Sequence, residues 1–121
     1  MATIALTKAA VGSKDSNAYT INYEAITEAD TGAAFELPEY IHLSVQVAGT
    51  FGAGDISIEG SNDGVTWATM SDPAGNALTF SAAGFKNIDT PARYIRPGKP
   101  TGTGVDLDVF FLAVRGISVR A

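Results

Sequence analysis

From Ile41 to Val47 the chain alternates without interruption, with Ile41, Leu43, Val45 and Val47 on one side and His42, Ser44 and Gln46 on the other. A period of two marks a strand with one buried face, because successive side chains of an extended backbone point to opposite sides of a sheet. The same period returns at Tyr19, Ile21 and Tyr23, at Ile56 and Ile58, and at Val105, Leu107, Val109 and Phe111. The three- and four-residue apolar spacing of a long helix is missing throughout. Glu24 to Ala29 has room for one helical turn before Thr31-Gly32. Such a chain must close its apolar faces sheet against sheet.

Turn residues set where the strands stop. Ile56-Ser57-Ile58-Glu59 runs into Gly60-Ser61-Asn62-Asp63-Gly64, and beyond it Val65 and Trp67 flank Thr66 with the strand period. Asn and Asp tolerate positive φ and hydrogen-bond their own backbone, while glycine adopts positive φ freely. The stretch predicts a hairpin whose loop exceeds two residues, with Asn62, Asp63 and Gly64 as a structural turn and Trp67 as a core anchor. The glycines of Gly49 to Gly54 invite comparison with a phosphate cradle, but no Lys-Ser/Thr pair and no helix follow, so the segment reads as a turn. Pro38, the Asp72-Pro73-Ala74-Gly75 cluster and the Gly98 to Gly104 loop end further strands.

In the last long strand Phe110, Leu112 and Val114 fill the second face beside Leu107, Val109 and Phe111, which predicts cover on both sides and marks those three as candidate interface residues. About eight short strands separated by turns every 8 to 12 residues or so predict an all-β, antiparallel β-sandwich, a jelly roll.

At 121 residues the chain is expected to form one sandwich domain over residues 19–121, preceded by an extended arm over residues 1–18. Ile4, Leu6 and Val11 in the arm are too few for a core and more than a solvated tail needs, so they join the candidate interface. The arm is expected to add a strand to the sheet edge of a neighbouring subunit. Only 17% of residues are charged against 45% hydrophobic, and mean hydropathy is +0.12. That balance predicts apolar surface meeting other chains in a homo-oligomer, taken as a trimer. A net charge of −5 with scattered basic residues argues against nucleic acid as a partner. The chain shows neither a charged-then-apolar leader nor the run of about 18 apolar residues needed to span a membrane, so it is expected to be soluble and unsecreted.

The sequence holds no cysteine, hence no disulfide and no thiolate ligand. Its one histidine, His42, lies on the polar side of a strand away from any nucleophile signature. Asp106 and Asp108 share a strand face but lack a third ligand and read as solvated or interface carboxylates. Asn62-Asp63-Gly64 matches part of a calcium loop whose other acidic positions are missing. Arg93 and Arg96, expected on opposite strand faces, fit structural pairing with a carboxylate. The expectation is a non-enzymatic protein with no catalytic, cofactor-binding or metal-ligating residues and no cofactor.

Two resemblances add to this. Ser-Asn-Asp-Gly-Val-Thr-Trp at 61–67 and Ala-Arg-Tyr-Ile-Arg at 92–96 resemble, in the same order, the paired signatures of discoidin-type galactose-binding-like domains. Those domains are jelly rolls, and the likeness implies carbohydrate as an alternative ligand, with Trp67 and Tyr94 as sugar platforms. A longer stretch, from about Ile41 to Arg115, is similar to small structural proteins of tailed bacteriophages. It is carried by Val-Gln-Val-Ala-Gly-Thr-Phe-Gly-Ala-Gly, Ile-Glu-Gly-Ser-Asn-Asp-Gly-Val-Thr-Trp, Asp-Pro-Ala-Gly-Asn-Ala-Leu-Thr-Phe, Arg-Tyr-Ile-Arg-Pro and Thr-Gly-Thr-Gly. This similarity implies a capsid decoration (cement) protein that trimerises, binds the major capsid protein between capsomers and sits on the virion surface after synthesis in the host cytoplasm. A tail or fibre-associated adhesion protein is the other setting it allows.

Overall fold

A computed structural model describes residues 2–4, 7–10, 18–27, 30–36, 40–52, 54–88 and 92–115, with residues 2–4, 8–10, 18, 40–42 and 115 described by backbone alone. The strands are β1 (Ala2–Ile4), β2 (Thr7–Ala10), β3 (Ala18–Ile26), β4 (Asp30–Gly32), β5 (Phe35–Glu36), β6 (Tyr40–Thr50), β7 (Ile56–Ser61), β8 (Ala68–Thr69), β9 (Thr79–Phe80), β10 (Gly84–Ile88), β11 (Tyr94–Pro97) and β12 (Asp106–Arg115). No helix occurs among the described residues. The turn expected over Glu24 to Ala29 is replaced at Glu24, Ala25 and Ile26 by the end of β3.

One sheet has the order β10-β6-β12-β3-β2 and the other β5-β11-β7-β8, with β9 also pairing β7. Eight of these strands (β3, β5, β6, β7, β8, β10, β11, β12) make up the sandwich proper. Numbered one to eight along the chain, they lie as 6-3-8-1 in the first sheet and 2-7-4-5 in the second, which is jelly-roll order. The all-β sandwich read from periodicity is the fold observed.

The core follows from the alternation. Ile21, Tyr23 and Ile26 of β3, Val45 and Val47 of β6, and Leu107, Val109, Phe111 and Ala113 of β12 face Ile56, Ile58 and Ile95 of the other sheet, all of them buried. Phe111 joins the layers: its ring meets Tyr23 edge-on at 6.0 Å and Phe35 of the opposite sheet at 5.1 Å. The Tyr23 hydroxyl donates to the Ala33 carbonyl, and burial pushes its phenol above the ordinary tyrosine value.

Three features depart from the sequence reading. β12 is covered on one side only. Its second face leaves Phe110 and Val114 half-buried and Leu112 36% exposed. The arm does not await a neighbour's sheet. β2 pairs antiparallel with β3 (Thr7↔Asn22 through Ala10↔Tyr19), and β1 pairs parallel with β4. Of the arm's candidate residues, Ile4 lies opposite Gly32 with its side chain undescribed, and Leu6 and Val11 lie outside the described residues, as do Pro38, Ile117 and Val119. Finally, the β3–β12 ladder slips between Leu107 and Val109, where Ala25 turns to φ +60°. The Ala25 N–H donates to Asp108 Oδ1 at 3.0 Å, so this carboxylate caps a β-bulge.

The Gly49 to Gly54 segment is a packing device. A Cβ on Gly54 would stand 1.7 Å from the Thr101 carbonyl oxygen, so only glycine lets the two loops touch. Thr101 fastens them, its N–H donating to the Asp55 carbonyl at 2.9 Å and its hydroxyl to Asp55 Oδ1 at 2.7 Å.

One-sided burial of β12 has a direct test by urea denaturation. Phe111→Ala is expected to destabilise the isolated subunit by about 3–5 kcal/mol, whereas Leu112→Ala, next to it but on the open face, should cost under about 1 kcal/mol. Comparable losses from both would mean that β12 is buried on both faces.

Candidate interaction surface

The outer face of the five-stranded sheet is built by register. Phe85, Gln46, Phe110, Asn22 and Thr7 form one row across the strands, and Asn87, Ser44, Leu112, Thr20 and Ala9 form the next. Val114 continues the stripe between Ala18 and His42; the His42 side chain is outside the described residues. Directly paired residues of neighbouring strands share a face, so these register positions belong to one surface. Phe85 is 64% exposed and Leu112 36%, with Phe110 and Val114 half-buried between amide and hydroxyl groups. No acid or base stands in either row; the nearest charges on the same face are Glu24, beyond Asn22 along β3, and Asp108 and Asp106, beyond Phe110 along β12. An uncharged patch with exposed phenylalanine and leucine is the composition of an interface centre.

The structure brings Phe110, Leu112 and Val114 together and adds Phe85, which the sequence reading did not single out. The signal was available: residues three apart on a strand point to opposite faces. Ile88 opposes Leu43 on the core side and Phe85 opposes Gln46 on the outer side.

The outer face of the second sheet has a different character. Arg96 Nε donates to Glu59 at 2.9 Å and its guanidinium lies 4.1 Å from the centre of the Trp67 ring. Arg93 Nε donates to Glu36 at 2.8 Å and its guanidinium sits 5.2 Å from the Tyr94 ring. Trp67 is therefore not a core anchor: it is half-buried under Arg96 and absent from the buried cluster. The strand period does not resume directly after the hairpin loop. Residues 62–66 are bends, Val65 is 81% exposed, and pairing restarts only at Ala68.

Asn62, Asp63 and Gly64 form a closed hydrogen-bonded loop. Asp63 Oδ1 accepts from the Ser61 hydroxyl and from the N–H groups of Val65 and Thr66, each at 2.8 Å. Ser61 Oγ accepts from Gly64 N–H at 2.9 Å, with Gly64 at φ +78°, and Asn62 Oδ1 accepts from Arg93 N–H at 3.0 Å. These bonds join the loop to the start of β11. Beside it a cleft of about 280 Å³ is lined by Asn62, Thr66, Thr69, Met70, Ser71 and Ala92, among others. Among the described residues, no three His, Asp or Glu side chains converge as a metal site would require.

No protein-family model and no curated protein matches this chain. Among solved structures it is similar to the SPBc2 prophage-derived protein YomS, with a TM-score of 0.59 and 13% identity, covering 88% of this chain and 98% of that one. The likeness is one of fold.

The loop supplies a pH test. The Thr66 and Val65 N–H groups, then the Ser61 hydroxyl, hold the Asp63 carboxyl well below the usual carboxylate range. A carboxyl lowered on folding stabilises the native state above its unfolded value of about 4, and that contribution is lost as pH falls through the folded value. Acid unfolding followed by circular dichroism should therefore be shallower below about pH 4 in Asp63→Asn than in the parent. Identical acid limbs would remove Asp63 from the account.

Proposed function

We propose that this chain is a non-enzymatic structural protein of a bacteriophage virion, a capsid decoration (cement) protein that binds the major capsid protein between capsomers at the head surface and assembles with its own copies. The observation that carries this reading is the uncharged patch on the outer sheet face, with Phe85 and Leu112 exposed and Phe110 and Val114 half-buried on a single subunit. A sandwich offering a partly apolar patch clear of charge is suited to lie against other protein surfaces. The fold shared with a prophage-derived protein supports a phage setting; the place at the head is what the resemblance of residues 41–115 to small phage structural proteins implies.

A second reading, a carbohydrate-binding or tail-fibre adhesion module, is favoured by the cleft with Asn62, Thr69 and Ser71 at its wall. Against it, Trp67 and Tyr94 each already carry a guanidinium against the ring, which leaves less open aromatic surface for a sugar.

Quantitative mass spectrometry of purified virions tests the proposal. A head decoration protein is expected in a fixed, high ratio to the major capsid protein, and purified chain added back to heads lacking it should restore that ratio. Absence from virions, or the few copies of a tail component, would overturn the decoration reading.

A further inference from the structure

Asp63-Gly64 is the one Asp-Gly pair of the chain, and no Asn-Gly pair occurs in it. These are the pairs at which a polypeptide isomerises most readily without a catalyst. The Gly64 nitrogen attacks Asp63 Cγ, and the new C–N bond closes a five-membered succinimide. The carboxyl hydroxyl leaves as water, taking the amide proton with it. Water then opens the ring at either carbonyl, and opening at the main-chain carbonyl leaves the backbone running through Cγ as isoaspartate. Water released in the first step is taken up in the second, so no other reactant is needed. Glycine favours the attack because it has no Cβ to hinder the approach. Asn62 to Thr66 are all exposed, so burial alone does not slow the reaction here.

The loop holds both reacting groups. Asp63 Oδ1 accepts from the Ser61 hydroxyl and from the Val65 and Thr66 N–H groups. These bonds favour the ionised carboxylate, whereas loss of water in ring closure requires the protonated carboxyl. On the other side, the Gly64 N–H donates to Ser61 Oγ at 2.9 Å, and the Asp63 N–H reaches the same oxygen at 3.3 Å. To attack, the peptide between Asp63 and Gly64 must turn its nitrogen toward Cγ, which breaks the Gly64 bond. One hydroxyl therefore restrains the electrophile through its proton and the nucleophile through its oxygen. Ser61 is itself fixed, since it ends β7 opposite Tyr94 of β11 and is only 5% exposed. The Tyr94 ring lies against Gly64, 3.5 Å from where a Cβ would stand.

We infer that Asp63-Gly64 is a latent isoaspartate site, closed while the loop is folded, and that the buried Ser61 hydroxyl is the group that closes it. Isomerisation adds a methylene to the main chain between the carboxylate's anchor and the Val65 and Thr66 N–H groups, so the bonds that shape the loop cannot all re-form. The modification therefore records an opening of the loop and outlasts it. It is a property of the single subunit, whatever the chain assembles with.

Peptide mapping by mass spectrometry, with enzymatic methylation of isoaspartate as a second readout, tests this on the full chain held for weeks near neutral pH. The native parent should gain isoaspartate at Asp63 at least about tenfold more slowly than the same chain unfolded in guanidinium chloride, because only the open fraction reacts. Ser61→Ala should raise the native rate at least about fivefold, while a core variant matched to it in melting temperature, such as Val109→Ala, stays within about twofold of the parent. Ser61→Cys replaces Ser61→Ala if the latter does not fold, a thiol being a weak donor and acceptor. Equal rates in the native and unfolded parent, or no isoaspartate at Asp63 in either, would overturn the latent site. A Ser61 variant no faster than the parent, or no faster than the matched core variant, would overturn the role given to the hydroxyl.

Discussion

The fold depends on the placing of β12 between β3 and β6. Its ladder with β6 runs from Asp106↔Thr50 to Arg115↔Tyr40, and its ladder with β3 from Leu107↔Ile26 to Val114↔Ala18. Sequence-distant segments are thereby joined, and the loop closures needed to join them must be offset by burial. Leu107, Val109, Phe111 and Ala113 supply that burial from one strand face, and Phe111 extends it across the sandwich to Phe35. The bulge at Ala25, capped by Asp108, is the local adjustment by which β3 keeps its inward side chains inward at the end of this ladder.

Such an arrangement leaves each sheet with an outer face, and the two are resolved differently. On the β11 and β7 side, polar groups satisfy one another within the chain: Arg96 with Glu59 and Trp67, Arg93 with Glu36 and Tyr94, and the Ser61–Thr66 loop through Asp63. On the β12 side apolar groups stand among short neutral ones, as they do at interface centres. A surface served by its own ion pairs gains little from another protein, whereas one exposing phenylalanine and leucine gains from being covered.

Much of this was legible in the sequence wherever a period of two ran unbroken. Leu43 to Val47 and Val105 to Phe111 gave strand, facing and core together, and with the turn residues they pointed to an all-β sandwich. The reading failed where something resets the phase. The hairpin loop does so before Trp67, because Asp63 folds residues 61–66 into hydrogen-bonded bends and the strand restarts at Ala68. The bulge at Ala25 does so where a helical turn was expected. Periodicity also shows two apolar faces on β12 without saying which is covered within the subunit; that depends on which side the second sheet occupies. The apolar residues of the open face were accordingly legible at Phe110, Leu112 and Val114 and not at Phe85, whose strand is short and opens on glycine.

The central claim is that a single subunit leaves the β12 outer face open and that assembly covers it. Hydroxyl-radical footprinting with mass spectrometry, comparing dilute protein with the assembled form, reads this side chain by side chain. Phe85, Phe110 and Leu112 should be oxidised in the dilute protein and protected in the assembly, while Tyr94 and Trp67 on the opposite face change little. Protection of Tyr94 and Trp67 with continued oxidation of Phe85 and Leu112 would contradict the account, since it would place the contact on the charged face.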